Sequence, residues 1–141
     1  EVIRQVEEDR KNLEKLVGYP ICGMAYPCGG GNNNDTVAQI LKEHTQIHYS
    51  RTITSTHTFD LQDNLLRFNP TVYHMEEEEM FRRAEEFIAL QTDEPKIFYI
   101  WGHTYEFDIA NTWDRFEQLC KLISNREDIF YGTNREILLA K

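Results

Sequence analysis

Short apolar runs alternate with helical patterns along this chain, and that alternation constrains its fold more than any other feature. Runs that are apolar throughout predict buried strands, and a briefer strand is predicted at 47–52. These runs are 21–26, 96–101, which is apolar after its first residue Lys96, and 129–131. Strands of this kind that alternate with helices are typical of a parallel sheet covered by helices. We therefore predict an α/β fold with about four helix–strand repeats.

Apolar residues at helical spacing, with capping residues before them, predict the helices between these strands. The predicted helices cover 2–17, a segment capped by Asn34 or Asp35 that runs through Leu41 or beyond, 76–91, a segment around Trp113 to Ile123, and a last one opened by a capping box of Thr133 and Glu136. Residues 53–75 are rich in Thr, Asn and Asp and are predicted to be an irregular loop.

The first predicted helix has no strand before it, although in a parallel α/β fold a helix normally crosses over from a preceding strand. We expect residues 1–141 to be a single partial domain from a longer protein. Such a piece would expose sheet edges and apolar helix faces, and this predicts a homo-oligomer, which light scattering can test.

Composition limits the partners and the compartment. The formal net charge of −9 makes nucleic acid a poor partner, because phosphate binding needs a basic surface. No apolar run approaches the length of a membrane span. The three cysteines predict free thiols, with a Cys22–Cys28 disulfide as the alternative. Localisation stays open between the cytoplasm and export.

Polar residues that follow predicted strands are the candidates for chemistry, since ligands of parallel α/β folds sit at the C-terminal ends of strands. His103 follows Trp101-Gly102 at the end of a strand, and an imidazole can transfer a proton near neutral pH. Glu106 and Asp108, in the polar loop predicted after it, could hold its orientation. The alternative is a structural histidine that hydrogen-bonds within a loop.

The other histidines give weaker signals. His44 and His48 have the spacing of a metal pair on a helix, but the predicted helix ends between them. His57 and His74 fall within the predicted loop and are interpreted as surface residues, although His74 could reach a site at the end of that loop.

Several segments, in order, resemble polysaccharide deacetylases of the NodB type. They are Tyr26-Pro27-Cys28-Gly29, Tyr99-Ile100-Trp101-Gly102-His103-Thr104-Tyr105-Glu106-Phe107-Asp108, Asn111-Thr112-Trp113 and Tyr131-Gly132-Thr133-Asn134-Arg135-Glu136-Ile137. The resemblance implies the C-terminal portion of an irregular, TIM-like (β/α) barrel. It also implies a bacterial, metal-dependent hydrolase that removes acetyl groups from N- or O-acetylated sugars, often with zinc.

The resemblance also places five residues in the site, with Pro27 as part of the turn that carries Cys28. His103 matches the histidine that protonates the leaving amine or alcohol. Trp101 takes the place of a leucine that lines the acetyl pocket, and Tyr26 would help to shape the same pocket. After Pro27, the N–H of Cys28 would stabilise the oxyanion.

Two departures limit the resemblance. The family's Thr-Phe-Asp-Asp and His-x-x-x-His segments, which hold the base and the metal ligands, normally precede the helix that begins this chain, and neither is present at that place. We therefore expect no metal ligands and no bound metal in this chain alone, and no turnover. The alternative interpretation is a non-catalytic carbohydrate-binding or assembly module on the same half-barrel scaffold.

Overall fold

The computed structural model describes residues 1–140, which form helices joined to short parallel strands. The elements are α1 (Val2–Val17), β1 (Gly23–Ala25), α2 (Asp35–His44), β2 (Tyr49–Arg51), β3 (Val72–Tyr73), α3 (Glu77–Ile88), β4 (Ile100–Trp101), α4 (Thr104–Ala110), α5 (Trp113–Ile123) and α6 (Asn134–Leu138). Two 3-10 turns, Gly30–Asn32 and Leu65–Arg67, lie between them.

The strands form two parallel pairs. β1 pairs with β2, so that Met24 lies opposite Ser50, and β3 pairs with β4, so that Tyr73 lies opposite Trp101. Each pair is connected through one helix, α2 or α3. The predicted mixture of helices and parallel strands is thus confirmed. Over residues 1–140 these pairs make no closed barrel, and the barrel portion stays a prediction.

Side-chain caps begin two of the helices where the sequence places them. The Asn34 side chain accepts a hydrogen bond of 2.9 Å from the N–H of Val37 and so caps α2. At α6 the Glu136 carboxylate accepts a 2.8 Å bond from the N–H of Thr133, and the Thr133 hydroxyl accepts one of 3.3 Å from the N–H of Glu136. Both predicted helix starts are confirmed.

The chain divides into two compact units, each with its own parallel strand pair. The first unit contains Glu1–Thr52, Gln62–Phe68 and the C-terminal residues from Gly132. Its buried cluster combines two residues of α2 with one residue after β1, one before β2 and one of the turn Leu65–Arg67, namely Ala38, Leu41, Tyr26, Ile47 and Leu66. Val2 and Val6 of α1 pack against this cluster.

The second unit contains Ile53–Leu61 and Asn69–Tyr131. Its buried cluster joins β3 to α3 and α5 through Val72, Met80, Ala84 and Leu119. Partly buried aromatic and aliphatic side chains extend it, including Phe98, Ile100 and Phe116. This core holds the ends of β3 and β4 in place.

Three sequence predictions are wrong. Residues 129–131 form no strand, and Phe130 is 71% exposed. The region 53–75 is not wholly irregular, because it contains Leu65–Arg67 and β3. The residues after His103 form helix α4 rather than a loop. Strand β3 depends on a hydrogen-bonding partner, β4, that lies far away in the sequence and that a local apolar pattern does not reveal.

Candidate functional site

The ends of β3 and β4 bring two histidines to one edge of the second unit. His74 follows β3 directly, and Gly102-His103 follows β4. Because the strands are parallel, with Tyr73 opposite Trp101, both chain segments leave the sheet at the same edge. This edge is therefore the candidate site.

The carboxylate of Glu106, in the first turn of α4, binds both of these segments. Its Oε2 lies 2.7 Å from Nε2 of His74 and accepts a 3.0 Å hydrogen bond from the backbone N–H of His103. Its Oε1 accepts a hydrogen bond from the hydroxyl of Tyr73. Three donors from two strand ends thus converge on one side chain that is 16% exposed.

These contacts lower the pKa of Glu106 and raise the pKa of Tyr73. Burial raises the pKa of Glu106, but the hydrogen bonds from Tyr73, His74 and the His103 N–H outweigh it and hold the pKa below its ordinary value. Burial, followed by the bond to this carboxylate, raises the pKa of Tyr73 to about 12. An ionised carboxylate only accepts hydrogen bonds, so Nε2 of His74 carries the shared proton.

His74 is buried under the segment that leads to His103. Its side chain is 3% exposed and packs on Phe107, with ring centroids 4.3 Å apart. A Cβ on Gly102 would lie only 1.6 Å from Cδ2 of this ring. The glycine therefore makes room for His74, and the interpretation of His74 as a surface residue is wrong.

His103 itself is exposed, and the aromatic rings of Tyr105 and Trp101 lie beside it. Its ring stacks on Tyr105 with centroids 5.3 Å apart and meets Trp101 edge-on at 6.0 Å. Trp101 in turn stacks on Tyr73 at 4.6 Å. A cavity of about 240 Å³ lies here. It is lined by His74, His103 and mainly apolar residues, among them Ile100, Phe107, Phe116 and Ile123.

A second carboxylate, Glu76 before α3, gathers a similar set of donors. It accepts hydrogen bonds from the Ser55 hydroxyl at 2.5 Å and from the N–H of Tyr73 at 3.2 Å, and it lies 2.7 Å from Nε2 of His57. Burial raises the pKa of Glu76, but the bonds from Ser55, His57 and Tyr73 leave it lowered. This cluster ties Ser55 and His57 to the N-terminus of α3.

The other proposed site residues, Tyr26, Pro27 and Cys28, lie in the first unit. Tyr26 is 5% exposed, and its hydroxyl donates a 2.7 Å hydrogen bond to the carbonyl of Leu66. Burial raises its pKa. Pro27 and Cys28 form an exposed turn, in which Cys28 has a positive φ of 60°. Tyr26 is therefore a core anchor, with the turn beside it at the surface.

Of the two carboxylates expected to orient His103, only Glu106 contacts it, and it does so through the backbone. Asp108 instead accepts a 2.7 Å hydrogen bond from the indole N–H of Trp113. His44 and His48 are both exposed. Sequence reasoning missed the pairing of Glu106 with His74. The spacing His103-x-x-Glu106, with the glutamate at the third helical position as in a capping box, was the signal available.

Within residues 1–140, no three His, Cys, Asp or Glu side chains come close enough to hold a metal ion. The residues present therefore do not fit the divalent metal that the resemblance implies. Over the same residues, no helix combines the length and the hydrophobicity of a membrane span. The three cysteines are free.

Comparison with known proteins adds no relative. No family model, no curated protein and no solved structure matches this chain significantly.

Proposed function

We propose that this chain is the C-terminal part of a hydrolase that removes acetyl groups from N- or O-acetylated sugars. The observation that carries the proposal is the exposed imidazole of His103, which follows a parallel strand and lines the cavity of about 240 Å³. The resemblance of residues 99–108 to the NodB-type deacetylases supports the same reaction.

In this proposal His103 is the general acid. Its ring is accessible from solvent, so the imidazole can protonate the leaving group of a bound substrate. Its backbone N–H donates a hydrogen bond to Glu106, which holds the residue in place. Trp101 and the apolar wall of the cavity would accommodate an acetyl methyl group. For the first unit, the resemblance supports two further roles as proposals, oxyanion stabilisation by the N–H of Cys28 and a contribution of Tyr26 to an acetyl pocket.

The divalent metal, with zinc as the first candidate, is proposed to be held by residues outside this chain. Residues 1–140 contain no group of three His, Cys, Asp or Glu side chains that could hold it. Activity is accordingly proposed for the full-length enzyme only.

The test is acetate release from N-acetylated and O-acetylated sugar oligomers by the full-length gene product. His103→Ala should lower kcat by at least about 100-fold, the usual contribution of a positioned general acid, with the metal content unchanged. His48→Ala is the matched control, since His48 is also exposed, and it should leave kcat unaltered. Unchanged turnover in His103→Ala would refute the assignment.

A second candidate is a non-catalytic carbohydrate-binding module. The observation that favours it is the ring of Tyr105, which is 58% exposed and stacks on His103, because exposed aromatic faces pack against apolar ligand surfaces. Titration of the chain with sugar oligomers by NMR distinguishes the two candidates. A binding module would lose affinity in Tyr105→Ala, and its full-length form would release no acetate.

A further inference from the structure

We propose that His74 is a positioning residue for His103 and acts through Glu106. The inference rests on the proposed role of His103, but its structural core can be tested without any activity. The link between the two histidines is Oε2 of Glu106. This oxygen lies 2.7 Å from Nε2 of His74 and accepts a hydrogen bond from the backbone N–H of His103.

The first step is that His74 is itself held rigidly. Its ring lies in contact with Gly102 on one side and packs on Phe107 on another. With 3% of its side chain exposed, the imidazole has little freedom to rotate. The Nε2–H donor is therefore presented in one direction, towards Glu106.

The second step is that Glu106 passes this constraint to His103. A carboxylate on the surface of a helix samples several rotamers, whereas this one receives the Tyr73 hydroxyl on Oε1 and His74 on Oε2. The fixed Oε2 then accepts the N–H of His103, the residue that precedes α4. The backbone of His103, and with it the direction of its Cα–Cβ bond, is thereby set.

The third step is that the electrostatics favour the same arrangement. The pKa of Glu106 is held below its ordinary value, so the carboxylate is charged at neutral pH and binds its donors more strongly than a neutral acceptor would. Removal of the His74 donor would leave a mostly buried carboxylate short of one partner, and it would turn towards solvent.

The test measures hydrogen exchange of the His103 amide by NMR on the 141-residue chain. His74→Leu keeps apolar volume but removes the donor, and it should speed exchange of that amide by about tenfold, the effect of losing a typical hydrogen bond to a charged group. His74→Gln, whose amide can replace the Nε2–H donor, should restore most of the protection. His57→Leu is the matched control, since His57 also lies 2.7 Å from a glutamate, and it should leave the His103 amide unchanged.

If His74→Leu fails to fold, Tyr73→Phe removes one hydroxyl from the same carboxylate and should give a smaller acceleration, about threefold. Unchanged exchange at His103 in the folded variants, or equal acceleration in His57→Leu, overturns the inference. In the full-length enzyme, His74→Leu should lower kcat with KM unchanged and His74→Gln should rescue it. Absence of acetate release from the wild-type enzyme would refute the proposed function alone, because the amide measurement still decides the role of His74.

Discussion

Replacement of Gly102 by alanine tests the packing at the candidate site most directly. The added Cβ would lie 1.6 Å from Cδ2 and 2.4 Å from Nε2 of His74, where carbon atoms normally keep about 3.5–4.0 Å apart. Gly102 has no positive φ, so alanine can adopt the same backbone conformation without strain. The whole effect must come from the collision with the imidazole, which has to move by about 2 Å.

The cost follows from what the imidazole loses. Its hydrogen bond to the charged Glu106 contributes about 1.5–3 kcal/mol, and overpacking of a filled core costs about 1–3 kcal/mol. Alanine offsets about 0.4–1 kcal/mol of this loss, because it restricts the unfolded chain more than glycine does. We therefore expect Gly102→Ala to lower the free energy of unfolding by about 2–5 kcal/mol.

Urea denaturation followed by tryptophan fluorescence measures this change, because Trp101 and Trp113 are the two tryptophans and both lie in the second unit. Gly31→Ala, whose Cβ would meet nothing within 4 Å, is the control, followed by circular dichroism. In a His74→Ala background the collision is absent, so Gly102→Ala should then cost less than about 1 kcal/mol. An equal cost in both backgrounds would refute the proposed collision.

Two further predictions concern pH and metal. The pKa of Tyr73 is about 12 in the folded chain and about 10 in an unfolded one. The neutral phenol thus stabilises the fold fully below pH 10, and this contribution, about 1–3 kcal/mol, disappears as the pH rises from 10 to 12. Urea denaturation across that range should show the loss in the wild type and a flatter profile in Tyr73→Phe; equal slopes would contradict it. Calorimetric titration of the 141-residue chain with zinc should show no tight stoichiometric binding, and one tightly bound equivalent would count against the prediction.

Helices with a clear period and a recognisable cap could be predicted from the sequence. The acidic first turn and apolar face of α3 are local signals, and so are Asn34 before α2 and the Thr133–Glu136 box. These features depend on neighbours within one turn of the chain. Helix propensity and side-chain capping, which act within one turn, are enough to specify them.

Strands of two or three residues could not be predicted with the same accuracy. Val72 and Tyr73 form β3 only because β4 lies beside them, and the apolar run 129–131 lacks a strand partner within the described residues. A strand needs a hydrogen-bonding partner that is distant in the sequence, and no local pattern reports it.

The candidate site was predicted in part. The position of His103 after a strand follows from the apolar run before it, whereas the burial of His74 arises from α4, a helix that the local pattern does not predict. The role of Glu106 depends on Tyr73 and His74, which are more than 30 positions away in the sequence. Contacts of that range come from the fold.

The contact between Gly102 and the ring at position 74 carries an evolutionary consequence. Related sequences that keep the imidazole should keep glycine two positions after Ile100, and those that acquire a side chain there should carry a smaller residue at 74. Positions 74 and 102 should therefore covary in related sequences, even though 27 other residues separate them in the chain.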